Sequence, residues 1–421
     1  MITSPGKEPL VDTSETVNYG RLWARSVPDP VDFSTVWTPP RYDFTAGIPD
    51  PNLLPLSGLA QAASEALRQE GKELAHYPSG QGHPGLQDIV AKKFSVDQGI
   101  STPADRVLIT NGAMHAISLV AEVLLDPGDL VITEEFTFAW SLRVFERFGA
   151  RAFTVETDEN GMVPEALDHA LAALRQKRLR PKIIYTIPTF HNPLGLEVPL
   201  ERRQQILDVA SRHGVPILED DVYGDLRFEG EPIPAIAALD KGRGNVLYVG
   251  SFSKIVAPGM RLGYLLAPPQ VMGRLLACKL DAGTSAFSSM ILYHYLKDQR
   301  DDHLEEVRLA LRSKRDALVG ALGEGLGNRA RWSHPRGGMF LWLRLPQWVN
   351  TYTLRNKAEN VGVSYVPGIY FSPYGKGENC LRLSFGYASR DDIHEGIKKL
   401  TDVLRAEGVL KSPTTQSRSK K

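Results

Sequence analysis

Three observations predict an α/β fold with a mostly parallel central sheet. Between residues 107 and 249, short apolar runs alternate with helical patterns. The runs are apolar throughout rather than alternating with polar residues, as strands covered on both faces require. From about residue 285 the pattern shifts to long helical stretches and shorter strands, the mark of a second, smaller α+β domain. A chain of 421 residues also exceeds what one hydrophobic core sustains, so two domains are expected.

The elements come in this order. Val107–Thr110 reads as a strand and Met114–Leu125 as a helix, with Asp126-Pro-Gly-Asp129 as the turn into the strand Leu130–Thr133. Ala152–Val155 and Lys182–Ile187 are further strands. Leu200–His213 has helical spacing and is stopped by Gly214. Val215–Leu218 and Val246–Val249 complete the large domain's strands. Beyond it, Met290–Leu322 is helical, Met339–Leu343, Val363–Val366 and Leu381–Ser384 are strands, and Asp391–Leu404 is a closing helix. The expected boundaries are an N-terminal arm associated with the small domain at 1–45, a large domain at 46–290, a small domain at 291–408 and a disordered tail at 409–421, polar and basic from Ser412.

Composition excludes several classes. Forty-nine basic and 49 acidic residues give zero formal charge, which argues against a nucleic-acid partner bound through phosphates. Cys278 and Cys380 are too few for a disulfide scaffold and form no metal-ligand pair, so no metal is expected. The opening residues carry charges and no apolar core, so no signal peptide is expected, and no apolar run suits a membrane span. A cytoplasmic enzyme is the expectation.

Ligands in open α/β sheets sit at the carboxyl ends of the strands, so the residues just past each strand are the candidates for chemistry. After Val107–Thr110 comes Asn111-Gly112-Ala113-Met114, opening a helix whose free N–H groups suit a phosphate. After Leu130–Thr133 come Phe136, Phe138 and Trp140, rings able to stack on a heteroaromatic ligand. Asn192-Pro193 comes after the strand at 182–187, Asp220 and Tyr223 after that at 215–218, and Ser251-Phe-Ser253-Lys254 after that at 246–249. Singly, each has a plain structural use: a turn, a helix cap, a strand–helix joint. Together and in this order they are the donors, acid, phenol, ring and amine that pyridoxal 5′-phosphate (PLP) needs.

Ser251-Phe-Ser-Lys-Ile-Val-Ala-Pro-Gly-Met-Arg261-Leu-Gly263 resembles the lysine signature of class I/II aminotransferases of the fold-type I PLP superfamily, with Arg261 seven residues after Lys254. Gly47-Ile-Pro49, Tyr77 before Gly82, Asn192-Pro193, Glu219-Asp-Asp-Val-Tyr223, Gly337-Gly-Met-Phe340 and Arg382-Leu-Ser-Phe385 match the same family. The branch with α-aminoadipate, kynurenine and aromatic amino-acid aminotransferases is the most similar, over Phe44 to Leu404. The resemblance implies a fold-type I transferase exchanging an amino group between an L-amino acid and a 2-oxo acid by a ping-pong mechanism. It implies a homodimer with shared active sites, and glutamate with 2-oxoglutarate as one substrate pair. Another PLP outcome, as oxidase, lyase or decarboxylase, is the alternative. A regulator's effector domain is disfavoured, since no basic recognition helix precedes Phe44.

The resemblance also implies roles. Lys254 is the Schiff-base lysine and proton carrier, Asp220 faces the pyridine nitrogen, and Tyr223 with Asn192 bonds the phenolic oxygen. Ser251, Ser253, Arg261, Gly112, Ala113 and Met114 form the phosphate site, with Tyr77 from the neighbouring subunit. Phe138 stacks on the ring. Arg382 binds the substrate α-carboxylate, with Asn192 and the backbone at Gly47 beside it. The chain departs from the family pattern at Phe138, Leu194, Gln87, Ala113 and Met114, mostly by loss of hydroxyls. Arg21 and Arg25 are candidates for a distal substrate carboxylate, and Trp140 and Tyr264 for an apolar side-chain pocket. The substrate itself is not specified.

Overall fold

The computed structural model describes residues 17–24, 27, 38 and 40–409, with only the backbone at 298–301. The expected tail from Ser412 and Arg25 of the arm lie outside the described residues. The chain divides into a short unit, Met1–Trp37, and a main body, Thr38–Lys421. Among the described residues of the first, a 3-10 turn spans Tyr19–Arg21, the rings of Tyr19 and Trp23 stack at 6.0 Å, and Arg21 is exposed.

The body is organised on a seven-stranded sheet. Its strands are β1 (Val107–Thr110), β2 (Leu130–Glu134), β3 (Arg151–Val155), β4 (Ile183–Thr186), β5 (Ile217–Asp220), β6 (Val246–Ser251) and β7 (Gly263–Leu266), ordered β1-β7-β6-β5-β4-β2-β3. All neighbours run parallel except β7, which is antiparallel to both β1 and β6. The apolar runs are buried at every position of β1, β2, β4, β5, β6 and β7, as strands covered on both faces must be. The period of two divides them between cores: Leu108, Val131, Ile183 and Leu218 face one way, Leu130, Ile132, Ile184 and Ile217 the other.

Helices α1 (Ala113–Leu124) and α2 (Ala139–Arg147) adjoin the site, whereas, among the described residues, α3 (Leu200–His213) and α4 (Ala286–Leu326) contribute nothing to its lining. The stop expected at Gly214 is a left-handed C-cap, φ 64°, whose N–H bonds the carbonyls of Ala210 and Ser211. Helix α4 is longer than its periodicity predicts, 41 residues, and starts where the Ser285 hydroxyl accepts the Ser288 N–H. A second sheet of four strands holds Arg331–Trp332, Phe340–Arg344, Cys380–Ser384 and Val366–Pro367, in that order.

Three expectations shift. β5 begins and ends two residues later than the apolar run at 215–218, because its ladder pairs Ile217 with Val246 and Asp220 with Val249. Asp220 therefore belongs to the strand itself. The run at 363–366 divides: Val363–Ser364 pairs with Tyr42–Asp43, while Val366 joins the four-stranded sheet. β7 has no counterpart among the expected strands. It slots between β1 and β6, where a Cβ on Gly263 would lie 2.7 Å from the Ala113 nitrogen, so only glycine fits.

One buried cation ties the exit of β4 to the loop after β5. Arg203 of α3 is fully buried and gives Nε to the Val198 carbonyl, Nη1 to Pro234 and Nη2 to Pro188 and the Thr189 hydroxyl, at 2.9–3.1 Å. Truncating it strands several buried acceptors at once. Arg203→Ala should lower unfolding free energy by about 3–5 kcal/mol in urea denaturation. Arg203→Lys, with one donor point instead of a planar fork, should recover less than half of that loss.

Candidate active site

The carboxyl ends of β1, β2, β4, β5 and β6 converge on one cavity. Its walls include Ala113, Met114, Phe138, Asn192, Asp220, Tyr223, Ser251, Ser253, Lys254 and Arg261. The sequence-predicted cluster is thus assembled by the fold, its members delivered by the ends of the strands and the turns after them.

Lys254 comes after β6, beyond a short turn in which the Ser251 hydroxyl accepts the Ser253 N–H at 3.1 Å. Its Nζ donates to the Gly47 carbonyl at 2.6 Å. Burial, reinforced by the positive charges of Arg261 and Arg382, pushes the amine down to about 8, with Asp220 pulling the other way. Asp220, at the end of β5, is pushed up to about 7, chiefly by burial. Its Oδ2 accepts from the Tyr185 hydroxyl at 2.6 Å, while Oδ1 is buried and has no protein partner.

Arg261 adopts a left-handed backbone, φ 54°, unusual for a side-chain-bearing residue and common where function fixes geometry. Its guanidinium reaches the opening turn of α1: a Cβ on Gly112 would sit 2.7 Å from Nη2. Gly112 is the N-cap of α1, φ 83°, so the N–H groups of Ala113 and Met114 have no partner within the helix. A cation beside uncapped N–H groups is a fitting cradle for a phosphate.

Asn192 links cofactor and substrate sides. Its Nδ2 approaches the Tyr223 hydroxyl at 3.5 Å, and its Oδ1 accepts from Arg382 Nη1 at 3.0 Å. Arg382 also donates to the Thr45 carbonyl at 2.6 Å, lies over the rings of Phe340 and Phe371, and keeps a buried Nε without a partner. Burial lowers its guanidinium to about 10. Gly47 passes Phe340 so closely that a Cβ would lie 2.9 Å from its ring.

Several expectations resolve differently. Of the three rings after β2, only Phe138 lines the cavity; Phe136 packs on Trp342 and Trp140 is exposed beside Arg143. Tyr264 is buried in the core against Tyr248 and Phe252, so it lines no side-chain pocket. Tyr77 is 88% exposed and borders a separate cleft with Glu70, His76 and Thr284, so within one chain it does not join the cluster. Tyr185 is not singled out by its sequence context, although a phenol inside a buried parallel strand must have a polar partner.

The match to known proteins decides the family. The model of aminotransferase class I and II matches residues 43–400. The chain belongs to that aminotransferase family. It is 33% identical to aromatic-amino-acid aminotransferase 1 of Thermococcus litoralis, over 86% of this chain and 87% of that one. It is 34% identical to 2-aminoadipate transaminase of Thermus thermophilus, over 86% and 89%. The solved structure of Pyrococcus horikoshii kynurenine aminotransferase with PMP superimposes with a TM-score of 0.83 at 32% identity, covering 87% of this chain and 91% of that one. The aminotransferase is thus a PLP-dependent transaminase of fold type I. The residues present fit that cofactor: the cavity offers an amine, a phosphate cradle, an aromatic face and, in Asp220 Oδ1, a buried acceptor lacking a donor.

In the cofactor-free aminotransferase, the amine of Lys254 should react with an acylating reagent along a titration curve centred near pH 8. Arg261→Gln removes a positive charge, lets the ammonium form persist to higher pH and should move the midpoint upward. Mass spectrometry of the labelled peptide across pH checks both.

Proposed function

We propose that the enzyme transfers amino groups between an L-amino acid and a 2-oxo acid in two half-reactions at one site, with Lys254 as the residue that holds the cofactor covalently. PLP, when bound, supplies a carbonyl that condenses with amines and a ring that accepts the electron pair left at the substrate Cα. The observation that carries the reading is the depressed lysine amine beside a buried, one-sided carboxylate and a phosphate cradle in a single cavity.

Each residue then has a task. Lys254, once its amine is freed, removes the proton from the substrate Cα and returns it. Asp220 keeps a proton on the pyridine nitrogen, and its unpartnered Oδ1 supports that role. Tyr223 and Asn192 donate to the phenolic oxygen. Ser251, Ser253, Arg261 and the turn that opens at Gly112, with the free N–H groups of Ala113 and Met114, hold the phosphate, while the Gly112 N–H itself bonds the Thr110 carbonyl at 2.8 Å; Phe138 covers the ring. Arg382 receives the α-carboxylate of both substrates; its unsatisfied Nε and planar guanidinium support this.

Homodimeric assembly rests on the family resemblance and is supported by Tyr77, a large aromatic left 88% exposed. Of the division into an arm at 1–45, a large domain at 46–290, a small domain at 291–408 and a tail at 409–421, the large and small domains are supported by the segregation of the two main sheets along the sequence, and the arm and tail rest on composition alone. A cytoplasmic setting is supported by the free thiols of Cys278 and Cys380.

Mixing the PLP form with single amino acids should convert the cofactor to its amino form, read by absorbance, and borohydride should fix the label on Lys254. A label on a different lysine, or release of ammonia, carbon dioxide or peroxide without the amino form, overturns the reading. Arg382→Lys retains charge and loses the fork, so kcat/KM should fall about 10–100-fold for amino acid and oxo acid alike, while the PLP dissociation constant stays within about twofold.

A further inference from the structure

Asp220 does not stand alone in the cavity wall. Its Oδ2 accepts a 2.6 Å hydrogen bond from the Tyr185 hydroxyl, on the neighbouring strand β4, and that hydroxyl lies 2.9 Å from Ser141 Oγ on α2. All three side chains are buried. The proton order along this chain is fixed by valence. A phenol has one proton, and an ionised carboxylate can only accept, so Tyr185 donates to Asp220 and Ser141 donates to Tyr185. One oxygen of Asp220 is thereby committed to the protein, and the other, Oδ1, is left buried without a donor.

We infer that Tyr185, backed by Ser141, is a positioning residue for Asp220: it anchors Oδ2 and stabilises the carboxylate as an anion, so that Oδ1 alone serves the bound cofactor. This rests on the reading of Asp220 as the partner of the ring nitrogen. The need for such a donor is visible in the surroundings. Burial and the negative charges of Asp221 and Glu134 all favour protonating Asp220; the Tyr185 bond and the charge of Lys254 oppose them. A carboxylate deprived of its donor becomes more basic and draws the proton off the ring nitrogen toward itself. Tyr185 also packs edge-on against Phe145, at 5.4 Å between centroids, so a purely structural tyrosine would give the same fold. The two roles separate on where the proton sits.

The test uses holoenzyme loaded with PLP carrying nitrogen-15 in its ring, and reads the ring-nitrogen chemical shift and the PLP dissociation constant. Asp220→Asn sets the shift expected when the carboxylate is gone. Tyr185→Phe keeps the ring against Phe145; its shift should move part-way toward that of Asp220→Asn, and PLP affinity should fall about tenfold, as for loss of one hydrogen bond to a charged group. Ser141→Ala should move the shift in the same direction by a smaller amount, and it decides the matter alone if Tyr185→Phe does not fold. If Asp220→Asn moves the shift while Tyr185→Phe and Ser141→Ala leave it at the wild-type position, the positioning role is overturned and the reading of Asp220 stands. If Asp220→Asn itself leaves the shift unchanged, the reading of Asp220 falls and this inference falls with it.

Discussion

A lysine amine can act as a nucleophile near neutral pH only if its proton is made costly to keep. Burial does part of this for Lys254, and the guanidiniums of Arg261 and Arg382 do the rest. Those two cations are also the groups that suit the anionic ends of cofactor and substrate, so under the proposed function the same charges serve recognition and activation. The site's acids must then stay ionised close to the amine without neutralising its effect. The wiring around Asp220 meets that need: one oxygen is held by a phenol and the other is left free.

Three consecutive acids, Glu219, Asp220 and Asp221, lie where β5 ends, and the two-residue period of the strand separates their uses. Asp220 points to the cavity. Glu219 accepts the backbone N–H groups of Ile236 and Ala237 at 2.9 and 2.8 Å, and Asp221 accepts from the Tyr248 hydroxyl at 2.9 Å. Behind Asp221, Lys93 joins Asp225 and Asp97 at 2.7 and 2.6 Å. The outer acids thus sit in a structural network, with Arg203 close enough to favour their charge. A register slip of one residue would exchange these roles, and the ladder pairing Asp220 with Val249 prevents it.

Much of this was legible in the sequence because parallel strands announce themselves as continuous apolar runs and the turns after them hold the chemistry. Lys254, Asp220, Tyr223, Asn192 and Phe138 all come after an apolar run, Arg261 belongs to the lysine signature, and all six line the cavity. Residues that act from within a strand carry no such signal: Tyr185 sits amid Ile183, Ile184 and Thr186, where a phenol reads as core. Nor does a one-dimensional pattern distinguish Phe136 from Phe138, two residues apart, because the short approach to α2 turns one toward Trp342 and the other toward the cavity. β7 is itself a short apolar run, Gly263–Leu266, but it continues directly from the lysine signature, and nothing in the one-dimensional pattern marks it as a strand set antiparallel between β1 and β6.

Three successive carbonyls, those of Thr45, Ala46 and Gly47, accept from Arg382, Ser384 and Lys254 respectively. The extended segment before the large sheet therefore grips the proposed carboxylate receptor, its strand neighbour and the reactive amine through peptide oxygens spaced along a single stretch of backbone. A shift of this segment by a fraction of an ångström would reach all three at once, coupling the two ends of the substrate mechanically. Side-chain substitution at Thr45 or Ala46 cannot remove the acceptors, which are peptide oxygens. Replacing single amides with esters, which weakens the carbonyl as an acceptor while sparing every side chain, is the chemistry that addresses it, and redesign of substrate preference has reason to begin on the backbone here.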